Sequence, residues 1–166
     1  MARLQVKGIN EYTKNIQKLY KDSEIILKRS IYPSAGFVIE NMKEAINSLP
    51  IEEGPSGLPP YGSEEMPIRG ISRQQKIDLL DGIGISNFQN TDGYLHVKVG
   101  FDGYGSVPTK KYPKGLPNVL LARAITSGTT FRKKNTAISR SVTKSKKEAR
   151  NIINEGMNKY IRRKMK

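Results

Sequence analysis

Hydrophobic positions in the first fifty residues recur at helical steps. Ile9, Tyr12, Ile16 and Leu19 fall three or four residues apart, which sets them on one face of a helix, while Lys14, Asn15, Gln17 and Lys18 fall elsewhere. Asn10 reads as its N-cap. Around Asp22-Ser23-Glu24 the apolar register changes to a knot of Ile25, Ile26 and Leu27. The spacing therefore predicts a short break there, within a first segment over Ile9 to Ile31, with Asp22 or Ser23 capping a second helix. That second helix carries Ala35, Val38, Met42, Ala45 and Leu49. Pro33 lacks an N–H and clashes with the preceding turn, so either this helix begins afresh there or a longer one is kinked. Its stripe suits core packing or, more sharply, subunit packing.

The helical pattern lapses after Leu49. Prolines at 50, 55, 59, 60 and 67 are interleaved with Gly54, Gly57, Gly62 and Gly70. A connection longer than about 12–15 residues is unusual in a compact domain. Residues 50–71 are thus expected to be an extended arm on a neighbouring subunit or a flexible surface loop. Ser72 to Leu80 reads as a short helix with Ser72 as N-cap, Ile77, Leu80 and Arg73 along one side, and Gly82 as its stop. Ile83 to Phe88 and Tyr94 to Phe101 read as two strands joined at Asn90-Thr91-Asp92-Gly93, whose Asp-Gly signals a tight hairpin. Leu95, Val97, Val99 and Phe101 would face the core and Tyr94, His96 and Lys98 the other side.

A second loop over Gly103-Tyr104-Gly105 and Pro108 to Pro117 leads to a short helix from Leu116 to Thr126. Val119, Leu120, Ala122, Ala124 and Ile125 form its apolar surface, and Gly128 ends it. The last helix is expected from about Ile138 to Met165, with Val142, Ala149, Ile152, Ile153, Met157, Tyr160 and Ile161 at helical spacing. Together these elements predict an α+β fold in a single domain over residues 1–166, with N-terminal helices, a small antiparallel sheet containing an Ile83-Phe101 hairpin, and a long basic C-terminal helix.

Composition narrows the function. A 166-residue chain can bury about 70% of its unfolded surface, enough for a core without staples. It has no cysteine, hence no disulfide framework, thiolate metal site or cysteine nucleophile. Neither a signal-like apolar run at the N-terminus nor a stretch of ~18 apolar residues is present, so a soluble, unsecreted protein with no membrane-spanning segment is expected. The formal charge is +14. Acids thin out after Asp102 to Glu148 and Glu155, while Lys and Arg crowd from Lys110 to Lys166. That balance favours an anionic partner: nucleic acid, an acidic protein ring or a membrane surface.

Candidate chemistry is sparse. His96 lies mid-strand with no nucleophile beside it, Glu52-Glu53 and Glu64-Glu65 read as solvated loop carboxylates, and an acid/base set drawn from Glu40, Asp78 and His96 has no local support. Gly100, Gly103 and Gly105 follow a strand but lack the Lys-Ser/Thr of a phosphate loop, and Val107-Pro108 stands where a dinucleotide-binding helix would open. The expectation is no enzyme, no cofactor and no metal. Arg132, Lys133, Lys134, Arg140, Lys144, Lys147 and Arg150, with Lys146 among them, form either a solvated charged face or a track for DNA or an acidic partner.

The run VKGINEYTKNIQKL, the helix ending in a Pro/Gly loop, the Gly-rich hairpin, ARAITSGTTF and the Lys-rich last helix together resemble the head-tail joining (tail-completion, or neck) proteins of long-tailed bacteriophages. The matching motif residues are Gly8 and Ile9 at the opening helix, and Gly128, Thr129 and Phe131 before the last one. Two features depart from the family pattern. Pro50-Ile51-Glu52-Glu53-Gly54 replaces its Pro-x-x-Thr-Gly, with an insertion to about Gly70, and no proline accompanies Phe131. The resemblance implies a small α+β virion protein of the neck, assembled in the bacterial host cytoplasm. Its six-fold related copies would form a ring against connector or stopper and tail terminator or tail-tube proteins, with non-specific contact to passing DNA and no enzymatic activity. A nucleic-acid-binding protein using the basic C-terminal third is the alternative.

Overall fold

The structure, a computed structural model, describes residues 9–164, with side chains from residue 12 onward. Its fold is α+β, and its frame is an antiparallel pair of long helices, α1 (Ile9–Asn47) and α4 (Ala137–Lys164). Contacts between them run in opposite directions along the two sequences. Asp22 pairs with Lys164 at 2.7 Å, Arg29 reaches the Tyr160 hydroxyl at 3.4 Å, and the Ser34 hydroxyl donates to the Ala149 carbonyl at 2.8 Å. Ser30, Ser34 and Ala35 on α1 and Ser145 on α4 are buried along this seam. Small side chains let the two backbones approach, so the pairing extends over most of α4.

That pairing overrides the expected break at Asp22-Ser23-Glu24 and the fresh start at Pro33, because α1 is one helix through both. Asp22 is engaged by α4 instead of capping, Glu24 bonds Lys28 one turn on at 2.9 Å, and Pro33 lies on the exposed face. Proline leaves the Arg29 carbonyl without its helical donor, a local loss offset by packing on either side of it. Asn10 lies within the helix and does not cap it. Because the last described residue of α4 meets Asp22, residues 9–21 of α1 extend beyond it, by roughly 20 Å at helical rise.

The core lies at the other end of α1. Met42, Ala45, Ile46 and Leu49 pack with Ile71, with Leu79 of α2 (Arg73–Gly82), and with Leu121, Ala122 and Ile125 of α3 (Asn118–Ser127). Ser72 caps α2 in a reciprocal box with Gln75, each side chain serving the other's backbone N–H at 3.2 Å. Lys76 of α2 reaches back to the carbonyls of Asn47 and Leu49, both at 2.9 Å, and closes the C-terminus of α1. The inward face of α2 differs from expectation: Asp78 and Leu79 are buried, whereas Ile77 and Arg73 are exposed. α3 likewise turns Leu121, Ala122 and Ile125 inward and leaves Val119 and Leu120 at the surface.

The hairpin forms as two short ladders where the sequence predicts continuous strands. β1 (Ile83–Ile85) pairs with β4 (Val99–Phe101), and β2 (Gln89–Thr91) with β3 (Tyr94–His96). Three residues, 86–88, oppose two, Val97 and Lys98, so the register slips by one between ladders, as in a β-bulge. Ser86 holds the slip in place: its N–H donates to the Lys98 carbonyl and its hydroxyl accepts from the Lys98 N–H, both at 2.8 Å. At the tip, Asp92 and Gly93 both have positive φ, 51° and 84°, which the two-residue turn requires and which Gly93 adopts without strain.

The Pro/Gly stretch is closed at its base. Ile51 bridges Ile71, and farther along Ile68 bridges Arg132. A single 3-10 turn, Pro55–Gly57, interrupts it. Among the described residues no helix is long and apolar enough to cross a membrane.

Candidate interaction surfaces

On α4 the inward positions are Ile138, Val142, Ser145, Ala149 and Gly156, and the opposite face collects cations. Arg140, Lys144 and Lys147 follow at steps of four and three and are all exposed. Arg150 is exposed beside this line, and Lys133 and Lys134 precede the same end of the helix. None of these six forms an ion pair among the described residues. The surface is therefore a positive face with little internal neutralisation, able to meet phosphates or carboxylates by charge alone.

Arg132 does not join that face. Its guanidinium turns inward to donate to the Gly70 carbonyl, and burial lowers its pKa while the nearby Glu52 charge opposes the shift. Glu52, expected to be solvated, is the hinge pin of the same region. Its Oε2 accepts from the backbone N–H groups of Arg69 at 2.7 Å and Gly70 at 2.8 Å. These two donors hold its carboxyl below the ordinary glutamate value, against burial and with help from the charges of Arg132 and Arg69. The sequence carries no signal for this, because the donors lie 17 and 18 residues away across an irregular loop.

The motif residues Gly128, Thr129 and Phe131 build the turn on which that loop rests. Gly128 donates to the Ala124 carbonyl and ends α3, Thr129 and Arg132 exchange backbone hydrogen bonds at 2.9 and 3.2 Å, and the Phe131 carbonyl accepts from Ile68. Phe131 itself is exposed. Gly8 lies outside the described residues, and Ile9 is the first described residue of α1.

The remaining chemistry-bearing side chains are separately engaged. Glu40 bonds Lys43 at 3.1 Å, and the His96 ring stacks on Tyr94 with centroids 5.3 Å apart. Asp78 accepts from the Ser106 hydroxyl at 2.6 Å, the Ser106 N–H at 2.9 Å and Gln74 at 3.0 Å. Among the described residues no three His, Asp or Glu side chains converge as a metal site. Asp78 and Asn118 pin the second loop: Asn118 Nδ2 donates to the carbonyls of Asp78 and Asp102 at 3.0 and 2.9 Å. Between this loop, α2 and the turn at Pro59 lies an apolar cleft of about 280 Å³, which shares Pro59, Val107 and Thr109 of its lining with a second of about 290 Å³. Its walls come from segments that are distant in sequence, so no local pattern marks it.

No protein-family model, curated protein or solved structure matches the chain.

Proposed function

We propose that the chain is a structural subunit of the bacteriophage neck, assembling with copies of itself into a ring that joins the DNA-filled head to the tail and performs no catalysis. The observation that carries this reading is the surface α1 offers beyond the end of α4. There Tyr12, Ile16 and Tyr20 are 58%, 45% and 82% exposed. Apolar and aromatic side chains left this exposed among the described residues are what a subunit presents to a neighbour. The resemblance of the sequence to tail-completion proteins supplies the class of assembly.

Sedimentation of the purified protein over a range of concentrations tests the ring, and mixing it with filled heads and separate tails tests the joining. Ring-sized species and restored infectious particles are expected. A strictly monomeric protein that leaves heads and tails apart overturns the reading.

The positive face of α4 favours a second reading, a nucleic-acid-binding protein that contacts phosphates without reading bases. Tight duplex binding by the isolated monomer, falling steeply with salt, would select it.

A further inference from the structure

The two clefts share Pro59, Val107 and Thr109 in their linings, and their walls are mainly apolar. Asp78, the one carboxylate on their walls, already accepts three hydrogen bonds from Ser106 and Gln74, and the Thr109 hydroxyl accepts from the Tyr112 N–H at 3.0 Å. With these polar groups satisfied internally, the first cleft offers mainly apolar wall from Pro59, Val107, Tyr112, Leu116 and Leu121. A cavity of about 150 Å³ holds a benzene ring, so one of 280 Å³ has room for a bulky side chain. Of two exposed lysines, Lys111 lines this cleft and Lys110 the neighbouring one. The wall is built to keep its shape. Gly115 closes on Gly105 so tightly that a Cβ there would strike the Gly105 carbonyl, and its φ of 93° suits only glycine.

The occupant this socket calls for is an apolar side chain flanked by carboxylates, and the chain carries such a knob. Residues 63–66 form a tight turn in which the Ser63 N–H donates to the Met66 carbonyl at 3.1 Å and the Ser63 hydroxyl accepts from the Met66 N–H at 3.0 Å. Glu64 and Glu65 sit at its apex, and Met66 is 79% exposed. None of these residues lines the cleft of its own chain. The exposed apolar stretch of α1 at Tyr12 to Tyr20 carries Lys14 and Lys18 and would meet Lys110 and Lys111 with like charge.

We propose that the Glu64-Glu65-Met66 turn of one copy docks in the cleft beside Lys110 and Lys111 of a second copy. Met66 is the anchor, since its unbranched thioether adapts to irregular apolar space. The two glutamates pair with the two lysines at the rim, and the prefolded turn limits the ordering cost of docking. Knob and socket are different surfaces, so each copy engages one neighbour by its knob and another by its socket, the heterologous kind of contact that builds a ring when the rotation between copies closes. The inference rests on the ring reading and names the contact that would build it.

Charge exchange tests it. E64K/E65K and K110E/K111E alter only exposed side chains and should leave the circular dichroism unchanged. Each pair is expected to weaken self-association, measured by sedimentation velocity, by about tenfold or more. Combining all four substitutions in one chain should restore it to within about threefold of the unaltered protein. M66D should weaken association in both charge backgrounds. Charge variants that associate as well as the unaltered protein, or a combined variant that stays dissociated, overturn this contact and leave the ring reading standing. An unaltered protein that remains monomeric at every concentration removes the ring and this contact together.

Discussion

Gly156 of α4 faces Ser30 of α1 in the seam between the two long helices. A Cβ on residue 156 would lie 2.9 Å from the Ser30 hydroxyl oxygen, 3.1 Å from its Cβ and 3.3 Å from its Cα. Backbone and a short buried side chain leave little room to yield. Gly156→Val is therefore expected to destabilise the fold by about 1–3 kcal/mol, the usual cost of overpacking. Asn158→Val, on the exposed side of the same helix, should cost about 0.5 kcal/mol or less. Urea denaturation of both variants checks the difference. Equal midpoints would mean that the helices can part without penalty.

Ser72 predicts a second stability effect. Its side chain is fully buried and forms the reciprocal cap of α2 with Gln75. Ser72→Ala removes the acceptor for the Gln75 N–H and should cost about 0.5–2 kcal/mol. Gln75→Ala leaves the serine acceptor in place and should cost less. The order of the two denaturation midpoints is the measurement, and its reversal would contradict the cap assignment.

What was legible in the sequence was short-range. The Ser72 cap needs only a residue three positions on, and the Asp92-Gly93 turn needs only two residues that tolerate positive φ. Both stand as read. The features that escaped depend on distant partners. Asp22 and Ser23 look like a helix break until Lys164 and the small-residue seam of α4 are opposite them. Ile77 looks like part of the inner face of α2 until Leu121 and Ile46 select Leu79, with Leu80 half-buried against the same core. The bulge at Ser86 is set by pairing across the hairpin, and Glu52 acquires its role from amides at the far end of a loop. The basic face of α4 was legible because helical spacing alone brings Arg140, Lys144 and Lys147 together, whereas Arg132 was drawn out of that set by the Gly70 carbonyl.

Glu52 makes stability depend on pH in a defined direction. Its carboxyl titrates below the ordinary glutamate value in the folded protein, chiefly because the Arg69 and Gly70 amides donate to the ionised form. Such a group contributes stability above its unfolded pKa, and the contribution is lost as pH falls through the lower, folded value. The unaltered protein should thus lose stability as pH drops from the ordinary carboxylate range downward. Glu52→Gln, less stable at neutral pH, should lose less over that window. Thermal melts of both proteins between neutral and strongly acid pH test this, and parallel curves would show that the loop base does not depend on the charge.

The outer face of α4 carries the remaining prediction. Arg140, Lys144 and Lys147 are exposed and unpaired within the described chain, so reversing them to Glu removes no internal ion pair. Arg140→Glu also places an acid close to the helix N-terminus, where the helix dipole favours it. The triple variant should therefore melt within a few degrees of the unaltered protein while losing the head-tail joining proposed for it. If the same face also touches DNA, the dependence of duplex affinity on salt should flatten by about one logarithmic unit per lost cation. Joining at the unaltered rate, with the fold intact, would move the anionic partner away from α4 and leave its lysines as a solvated surface.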